Sequence, residues 1–314
     1  MQETSILDRY GDNFTKKVYI TNPAIGREEE IKELCLILLT PDKSAILTGK
    51  PGIGKTALVE GLAYRIQNND VPDALKGYEI IKIDTQSLMG TVMATGESKV
   101  QTLVDELKKR GKCILFIDEI HTLINKSDET SLDFANMFKT GLGRGDIKII
   151  GATTTDEYQR YILKDKAFTR RFKKIEMREP TPEETVKILM GTLPKIEANT
   201  KAKMAYTSFV QSEIMKFIVD VNKPFNRVYE SAGNYPDVAL TMLSACFSEA
   251  LFENKDVVTV VHVAKAIENA TSLYEDVRKK EAAKFREQFK KLFEQEEQMA
   301  KDFRVEGSKW KKKT

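Results

Sequence analysis

Histidine and cysteine are scarce in this 314-residue chain, and both shortages narrow its chemistry. Two histidines, His121 and His262, are too few for a zinc site of the usual kind. The three cysteines, Cys35, Cys113 and Cys246, lie far apart in apolar surroundings. They read as reduced core thiols rather than a disulfide framework. Charge of one sign is lacking too. The balance of 50 Lys and Arg against 47 Asp and Glu leaves +3, which argues against a broad nucleic-acid surface. No apolar run reaches the length of a membrane span. Residues 1–5 lack the basic-then-apolar order of a secretory leader. These absences predict a cytoplasmic setting with no membrane. Repeats and low-complexity blocks are missing as well. The length suits two domains better than one core.

What is present starts with Gly49-Lys50-Pro51-Gly52-Ile53-Gly54-Lys55-Thr56, a G-x-x-x-x-G-K-T phosphate loop. The buried-strand run Ala45-Ile46-Leu47-Thr48 precedes it, and the helical run Ala57-Leu58-Val59-Glu60-Gly61-Leu62-Ala63 follows. Glycines let the backbone curl so that N–H groups of the loop, Pro51 excepted, converge on phosphates. The helix N-terminus adds partial positive charge. Lys55 is predicted to reach the β- and γ-phosphates of ATP, and Thr56 to bind Mg²⁺. A second motif, Cys113-Ile114-Leu115-Phe116-Ile117-Asp118-Glu119, is an apolar run ending in two carboxylates. It suits a strand buried on both faces of a parallel sheet, with its acids at the ligand-binding edge. Asp118 is expected in the Mg²⁺ shell, and Glu119 orients or deprotonates the attacking water.

Strand patterns through Ile46, over 79–84, over 113–117 and over 147–152 alternate with helical stretches, which predicts a parallel α/β sheet. A short helix and an extended arm open the chain. Near residue 179 the texture changes. Thr181-Pro182-Glu183-Glu184 carries an N-cap threonine and a proline at the first helical position. The expected domains are 1–178, an α/β ATP-binding domain with an N-terminal arm; 179–275, a helical lid; and 276–314, a charged amphipathic helix and basic tail. Phe285, Phe289, Leu292 and Phe293 supply that helix with a narrow apolar stripe. Trp310-Lys311-Lys312-Lys313-Thr314 reads as a solvated tail.

With both motifs placed, residues 7 to 275 resemble the first ATPase module of the two-module Clp-type AAA+ chaperones. The likeness rests on segments in order: Asn22-Pro23-Ala24-Ile25-Gly26-Arg27, Val59-Glu60-Gly61-Leu62-Ala63-Tyr64-Arg65, Phe116-Ile117-Asp118-Glu119-Ile120-His121, Gly151-Ala152-Thr153-Thr154-Thr155-Asp156-Glu157-Tyr158 and Asp165-Lys166-Ala167-Phe168-Thr169-Arg170-Arg171-Phe172. Tyr235-Pro236-Asp237-Val238-Ala239-Leu240 has the place and outline of the family lid.

The resemblance implies an AAA+ fold, ATP hydrolysis with Mg²⁺, and a hexameric ring. It places Ile25 and Gly26 beside the adenine and Asp237 among the nucleotide-contacting residues. Gly49, Pro51, Gly52, Ile53, Gly54 and Ala57 would form the cradle. Thr154 resembles the sensor of the γ-phosphate or water. Arg170 and Arg171 resemble arginine fingers that complete a neighbour's site, with Arg171 favoured, and Arg144 is a further candidate. His121 reads as core-packed or locally bonded.

Two departures stand out. The family grips polypeptide with a basic-aromatic pair, and Met93-Ala94 occupies that position. An alanine offers little surface to hold a side chain, so the chain is expected to thread polypeptide poorly. Val238 stands where the family lid has a lysine. The leading expectation is an oligomeric, protein-remodelling ATPase. Still open are a nucleic-acid-directed AAA+ ATPase such as a helicase loader, a regulatory subunit of a larger Clp-like ring, and a nucleotide switch.

Overall fold

The structure is a computed structural model that describes residues 5–84, 99–123, 147–228 and 233–298. The Met93-Ala94 segment, Arg144 and the basic C-terminal end lie outside the described residues. The chain divides into two compact units, Met1–Glu179 and Pro180–Thr314.

The first unit is built on a six-stranded sheet: β1 (Gly11–Asn13), β2 (Ser44–Thr48), β3 (Glu79–Ile83), β4 (Cys113–Ile117), β5 (Lys148–Thr153) and β6 (Phe172–Glu176). The spatial order is β1-β3-β4-β5-β2-β6. Only the β1–β3 pair is antiparallel. Every residue of β2 and β4 is buried, as their unbroken apolar runs require of strands covered on both faces. Side chains alternate between two cores. On one face, Ala45, Leu47, Ile114 and Phe116 pack with Leu34, Leu58 and Leu62 from α2 (Glu28–Leu39) and α3 (Lys55–Gln67). On the other, Ile46, Leu115 and Ile117 pack with Leu7 of α1 (Ile6–Tyr10) and with Leu103 and Leu107 of α4 (Lys99–Arg110).

Two strands escape the sequence pattern. β6 lies outside the four strand patterns read from the sequence. Its exposed lysines interrupt the apolar signal, yet it pairs with β2 along its whole length. β1 is three residues long and pairs with β3, about 70 residues later in the chain.

All three cysteines are buried and free. Burial pushes the thiols of Cys113 and Cys246 up to about 12, so neither is a nucleophile at neutral pH.

The second unit is mostly helical. Its helices are α5 (Pro182–Thr200), α6 (Ser208–Val221), α7 (Asp237–Phe252), α8 (Val260–Glu268) and α9 (Glu275–Gln288). A two-stranded parallel ribbon joins Lys203–Met204 to Val257–Val258. α5 starts as its sequence dictates: Thr181 caps it, Pro182 follows, and Glu184 closes a capping box. The apolar stripe of α9 is buried in this unit's core. Phe285 is fully buried, with ring centroids 5.0 Å from Phe217 and 4.7 Å from Phe289. Leu292 and Phe293 pack on the same core. The Tyr206 hydroxyl accepts the Val260 N–H at 3.1 Å and donates to the Glu296 carboxylate. Among the described residues no helix is long and apolar enough to cross a membrane.

Candidate functional site

The sheet order brings the C-terminal ends of β4, β5 and β2 side by side. Three segments therefore share one edge: the phosphate loop after Thr48, the Asp118-Glu119 pair after Ile117, and Thr154 after Thr153. The carboxyl edge of a parallel sheet, at the point where the strand order reverses, is the standard ligand position. In the loop, Gly52 and Gly54 adopt φ values of 76° and 97°, a left-handed region that costs glycine little. Gly54 stands at the N-cap of α3, so Lys55, Thr56 and Ala57 form its first turn. Ile53 is buried beneath the loop, while Pro51 and Gly52 are exposed.

Lys55 curls back over the loop. Its ammonium donates to the carbonyls of Gly49 at 2.9 Å and Lys50 at 3.0 Å. Burial lowers its pKa from the ordinary lysine value, opposed by the charges of Asp118, Glu157 and Glu119. The Thr56 hydroxyl donates to Asp118 Oδ2 at 3.2 Å, and Lys82 Nζ approaches the same oxygen at 3.5 Å. A hydroxyl and a carboxylate side by side are hard oxygen donors of the kind Mg²⁺ takes when phosphates supply further ligands. The residues present therefore fit a magnesium ion held by Thr56 and Asp118.

Glu119 is exposed, with φ of 50°, a left-handed backbone rare outside glycine and asparagine. Its N–H donates to Asp118 Oδ1 at 3.1 Å, and its carbonyl accepts both the N–H and the hydroxyl of Thr122 at 2.9 Å. These bonds hold the turn that presents the carboxylate.

Thr154 stands at the end of β5 as the N-cap of a single turn, Thr155–Glu157. Its hydroxyl donates to Glu157 Oε2 at 2.8 Å. The Thr153 hydroxyl reaches the same carboxylate oxygen at 3.1 Å. His121 Nδ1 lies 3.0 Å from the Thr153 hydroxyl and 3.2 Å from Glu157 Oε2, with its ring stacked on Tyr161. His121 is thus bonded locally.

The lead-in segment packs tightly on α3. Ala24 is buried where Gly61 leaves no side chain in the way. Ile25 is half-buried, and Gly26 takes φ of 68°. Arg27, buried, donates to the carbonyls of Ile53 at 3.0 Å and Arg178 at 3.1 Å, and pairs with Glu30 at 2.8 Å. It ties the loop to the segment leaving β6.

Sequence reasoning missed Arg27, Lys82 and Glu157. Only Glu157 carried a local signal, the T-x-x-E spacing from Thr154. The other two act across 26 to 151 residues of sequence.

Two predicted site residues lie away from this edge. Arg170 and Arg171 precede β6, beside Ser44 at the start of β2. The Ser44 N–H donates to the Arg171 carbonyl at 2.9 Å, and the Lys43 ammonium bonds the Arg170 carbonyl. Because β6 runs parallel to β2, the length of a five-residue strand separates them from the loop. That is about 15 Å at roughly 3.3 Å per residue. Their backbone therefore stands at the opposite end of the strand from the phosphate loop. Asp237 is exposed at the first position of α7, in the second unit.

Residues 45–178 match the family described as ATPase family associated with various cellular activities (AAA). The first unit is an AAA+ P-loop NTPase fold, with a helical unit following it. The chaperone protein ClpB of Aquifex aeolicus (strain VF5) is 45% identical over 210 residues, covering 65% of this chain and 21% of that protein. The chloroplastic chaperone protein ClpC1 of Oryza sativa subsp. japonica is 38% identical over 222 residues, 69% of this chain and 24% of that one. Among solved structures, closed-state Hsp104 with ATPγS and FITC casein aligns with a TM-score of 0.71 at 32% identity. The alignment covers 84% of this chain and 45% of that one. The S. cerevisiae Hsp104:casein complex in its extended conformation gives 0.70 with the same identity and coverage. Over residues 45–178 the chain carries an AAA module, and it is similar to the Clp-type chaperones named above. It spans less than half the length of these relatives.

Proposed function

We propose that this chain binds ATP with Mg²⁺, hydrolyses it, and works as an oligomeric protein-remodelling ATPase. The observation that carries the reading is the convergence of Lys55, Thr56, Asp118 and Glu119 on one sheet edge, with Thr56 and Asp118 already in contact. The proposed organisation is an ATP-binding α/β domain over 1–178, a helical lid over 179–275 and a charged extension over 276–314.

Each residue has a separable task. The loop N–H groups and the α3 N-terminus bind the phosphates. Lys55 exchanges its two carbonyl partners for phosphate oxygens, a stronger charge-assisted contact. Thr56 and Asp118 hold the metal, which when bound neutralises charge on the phosphates. Glu119 orients the water and takes its proton, and Thr154 contacts the water or the γ-phosphate. Ile25 and Gly26 line the base.

The position of Arg170 and Arg171 supports an assembly. Their distance from their own loop leaves a neighbouring copy's site as the one they can serve, and a finger in trans stabilises transition-state charge. Hexameric closure, a protein substrate and a cytoplasmic location follow the Clp resemblance. A nucleic-acid substrate is disfavoured by the balanced charge.

The test is paired nucleotide binding and turnover. Lys55→Ala should weaken ATP binding. Glu119→Gln should bind ATP and lose about 100-fold or more in turnover, the range of a general base. Equal turnover by Glu119→Gln and the parent would sink the assignment.

A further inference from the structure

Glu157 is the acid of this edge to which the proposed function gives no task. Its Oε2 accepts the Thr154 hydroxyl at 2.8 Å, the Thr154 N–H at 3.1 Å and the Thr153 hydroxyl at 3.1 Å. The Thr154 hydroxyl in turn accepts the Glu157 N–H at 3.2 Å. A hydroxyl has one proton and two lone pairs. On Thr154 the proton and one lone pair are both committed to Glu157. What remains is a single lone pair, which can accept a hydrogen bond and cannot give one.

We infer that Glu157 is a positioning residue that fixes Thr154 as a hydrogen-bond acceptor, so that Thr154 holds an O–H of the attacking water rather than a γ-phosphate oxygen. The inference rests on the ATP-hydrolysing reading of the site, and it chooses between the two contacts open to Thr154. A phosphate oxygen is itself only an acceptor and would find no proton there. Glu157 cannot reverse the bond. Burial pushes its carboxyl up, but the Thr154 N–H and hydroxyl, His121 and Thr153 together hold it below the ordinary carboxylate range. It is an anion at neutral pH, with no proton to offer.

The same network sets the His121 tautomer. Both groups facing Nδ1 are acceptors there, the Glu157 carboxylate and a Thr153 hydroxyl whose proton goes to Glu157. Nδ1 therefore carries the proton. The other histidine is the opposite case, because His262 Nδ1 accepts the Thr259 N–H at 2.9 Å.

A plain helix cap would explain the Thr154–Glu157 bonds but would contribute only to stability. Measurements on the full chain separate the two roles. A glutamine at 157 can turn its amide N–H toward Thr154 and reverse the bond. Glu157→Gln should therefore slow single-turnover hydrolysis by about 10- to 100-fold, the cost of a misplaced reactant. Its affinity for a fluorescent ATP analogue should stay within about twofold of the parent. The double variant Thr154→Ala, Glu157→Gln should be no slower than Thr154→Ala, because one residue acts through the other. In ¹⁵N-histidine spectra at mildly alkaline pH, one histidine should be the Nδ1–H tautomer and the other Nε2–H, with His262→Gln assigning them.

Unchanged turnover in Glu157→Gln, or effects that multiply in the double variant, would overturn the inference. So would an Nε2–H tautomer at His121, and that readout needs no turnover. A parent chain that fails to hydrolyse ATP would instead overturn the proposed function, and the tautomer would still decide whether the network exists.

Discussion

Gly61→Ala is a single added methyl whose effect can be worked out in advance. In the middle of α3 an alanine favours the helix by about 1 kcal/mol over glycine. Against this, its Cβ would sit 2.2 Å from the Ala24 Cβ, 3.1 Å from the Ala24 nitrogen and 3.2 Å from the Ala24 Cα. Two of these three atoms are backbone, so no side-chain rotation relieves them. The lead-in segment has to retreat by about 1 Å to restore ordinary carbon contacts of ~3.5 Å. Overpacking of this kind costs about 1–3 kcal/mol. The steric term offsets the helix gain and exceeds it by up to about 2 kcal/mol. For a unit of this size, that lowers the thermal midpoint by up to about 8 °C.

The retreat also moves Ile25 and Gly26, the residues proposed to line the base, so affinity for a fluorescent adenine nucleotide falls in the same variant. Calorimetry and nucleotide titration on the parent, Gly61→Ala and the double Gly61→Ala, Ala24→Gly read both effects. The double removes the shortest contact and keeps the backbone ones, so it should recover part of each loss. A midpoint that rises in Gly61→Ala would refute the close packing of the lead-in segment on α3.

Other outcomes follow from the same geometry. Mixing Arg171→Ala with Glu119→Gln chains should restore turnover that neither has alone, because a Glu119→Gln neighbour can lend its arginine to an intact site; turnover by fully dilute monomer contradicts this. Lys82→Ala frees Asp118 from a competing cation, so the Mg²⁺ concentration for half-maximal nucleotide binding should fall by about two- to fivefold, the scale of a partly exposed ion pair; an unchanged or higher requirement contradicts it. In the second unit, the side-chain bonds from Lys255 and Lys265 hold Glu253 down to about 2. A lowered carboxyl stabilises above its unfolded value of ~4.3 and loses that contribution as pH falls toward 2. The stability gap between parent and Glu253→Gln should therefore be present at pH 7, under about 1 kcal/mol for so open a pair, and shrink to nothing near pH 2; a gap that persists there contradicts the pairing.

Local features were legible in the sequence, and contacts at long sequence range were not. The loop between β2 and α3 announces itself because glycine spacing and the Lys-Thr pair report a backbone shape directly. Asp118 was readable from the apolar run before it, since burial on both faces leaves no polar alternation. Thr181, Pro182 and Glu184 spell a helix start within four residues. By contrast, Arg27 looks like one more charge at the head of a helix, and only the folded chain brings the Ile53 and Arg178 carbonyls to it. Lys82 sits in a strand, where a lone lysine usually means a solvated face; its reach to Asp118 depends on the β3–β4 register. β6 hid behind its lysines because an edge strand need satisfy burial on fewer sides. Glu157 stands at the T-x-x-E spacing from Thr154, which reports a helix cap and says nothing of the chemistry at the strand end.

The docking of α9 has a practical consequence for anyone dividing this protein. The sequence motifs of Clp type are expected to end near residue 275, but Phe285 at the centre of the second unit's aromatic cluster lies ten residues later. A cut at the limit of the likeness would strip Ala282, Phe285 and Phe289 from that core, bare the ring of Phe217 and release Tyr206 from Glu296. The core of the second unit thus draws on α9 as much as on the helices before it.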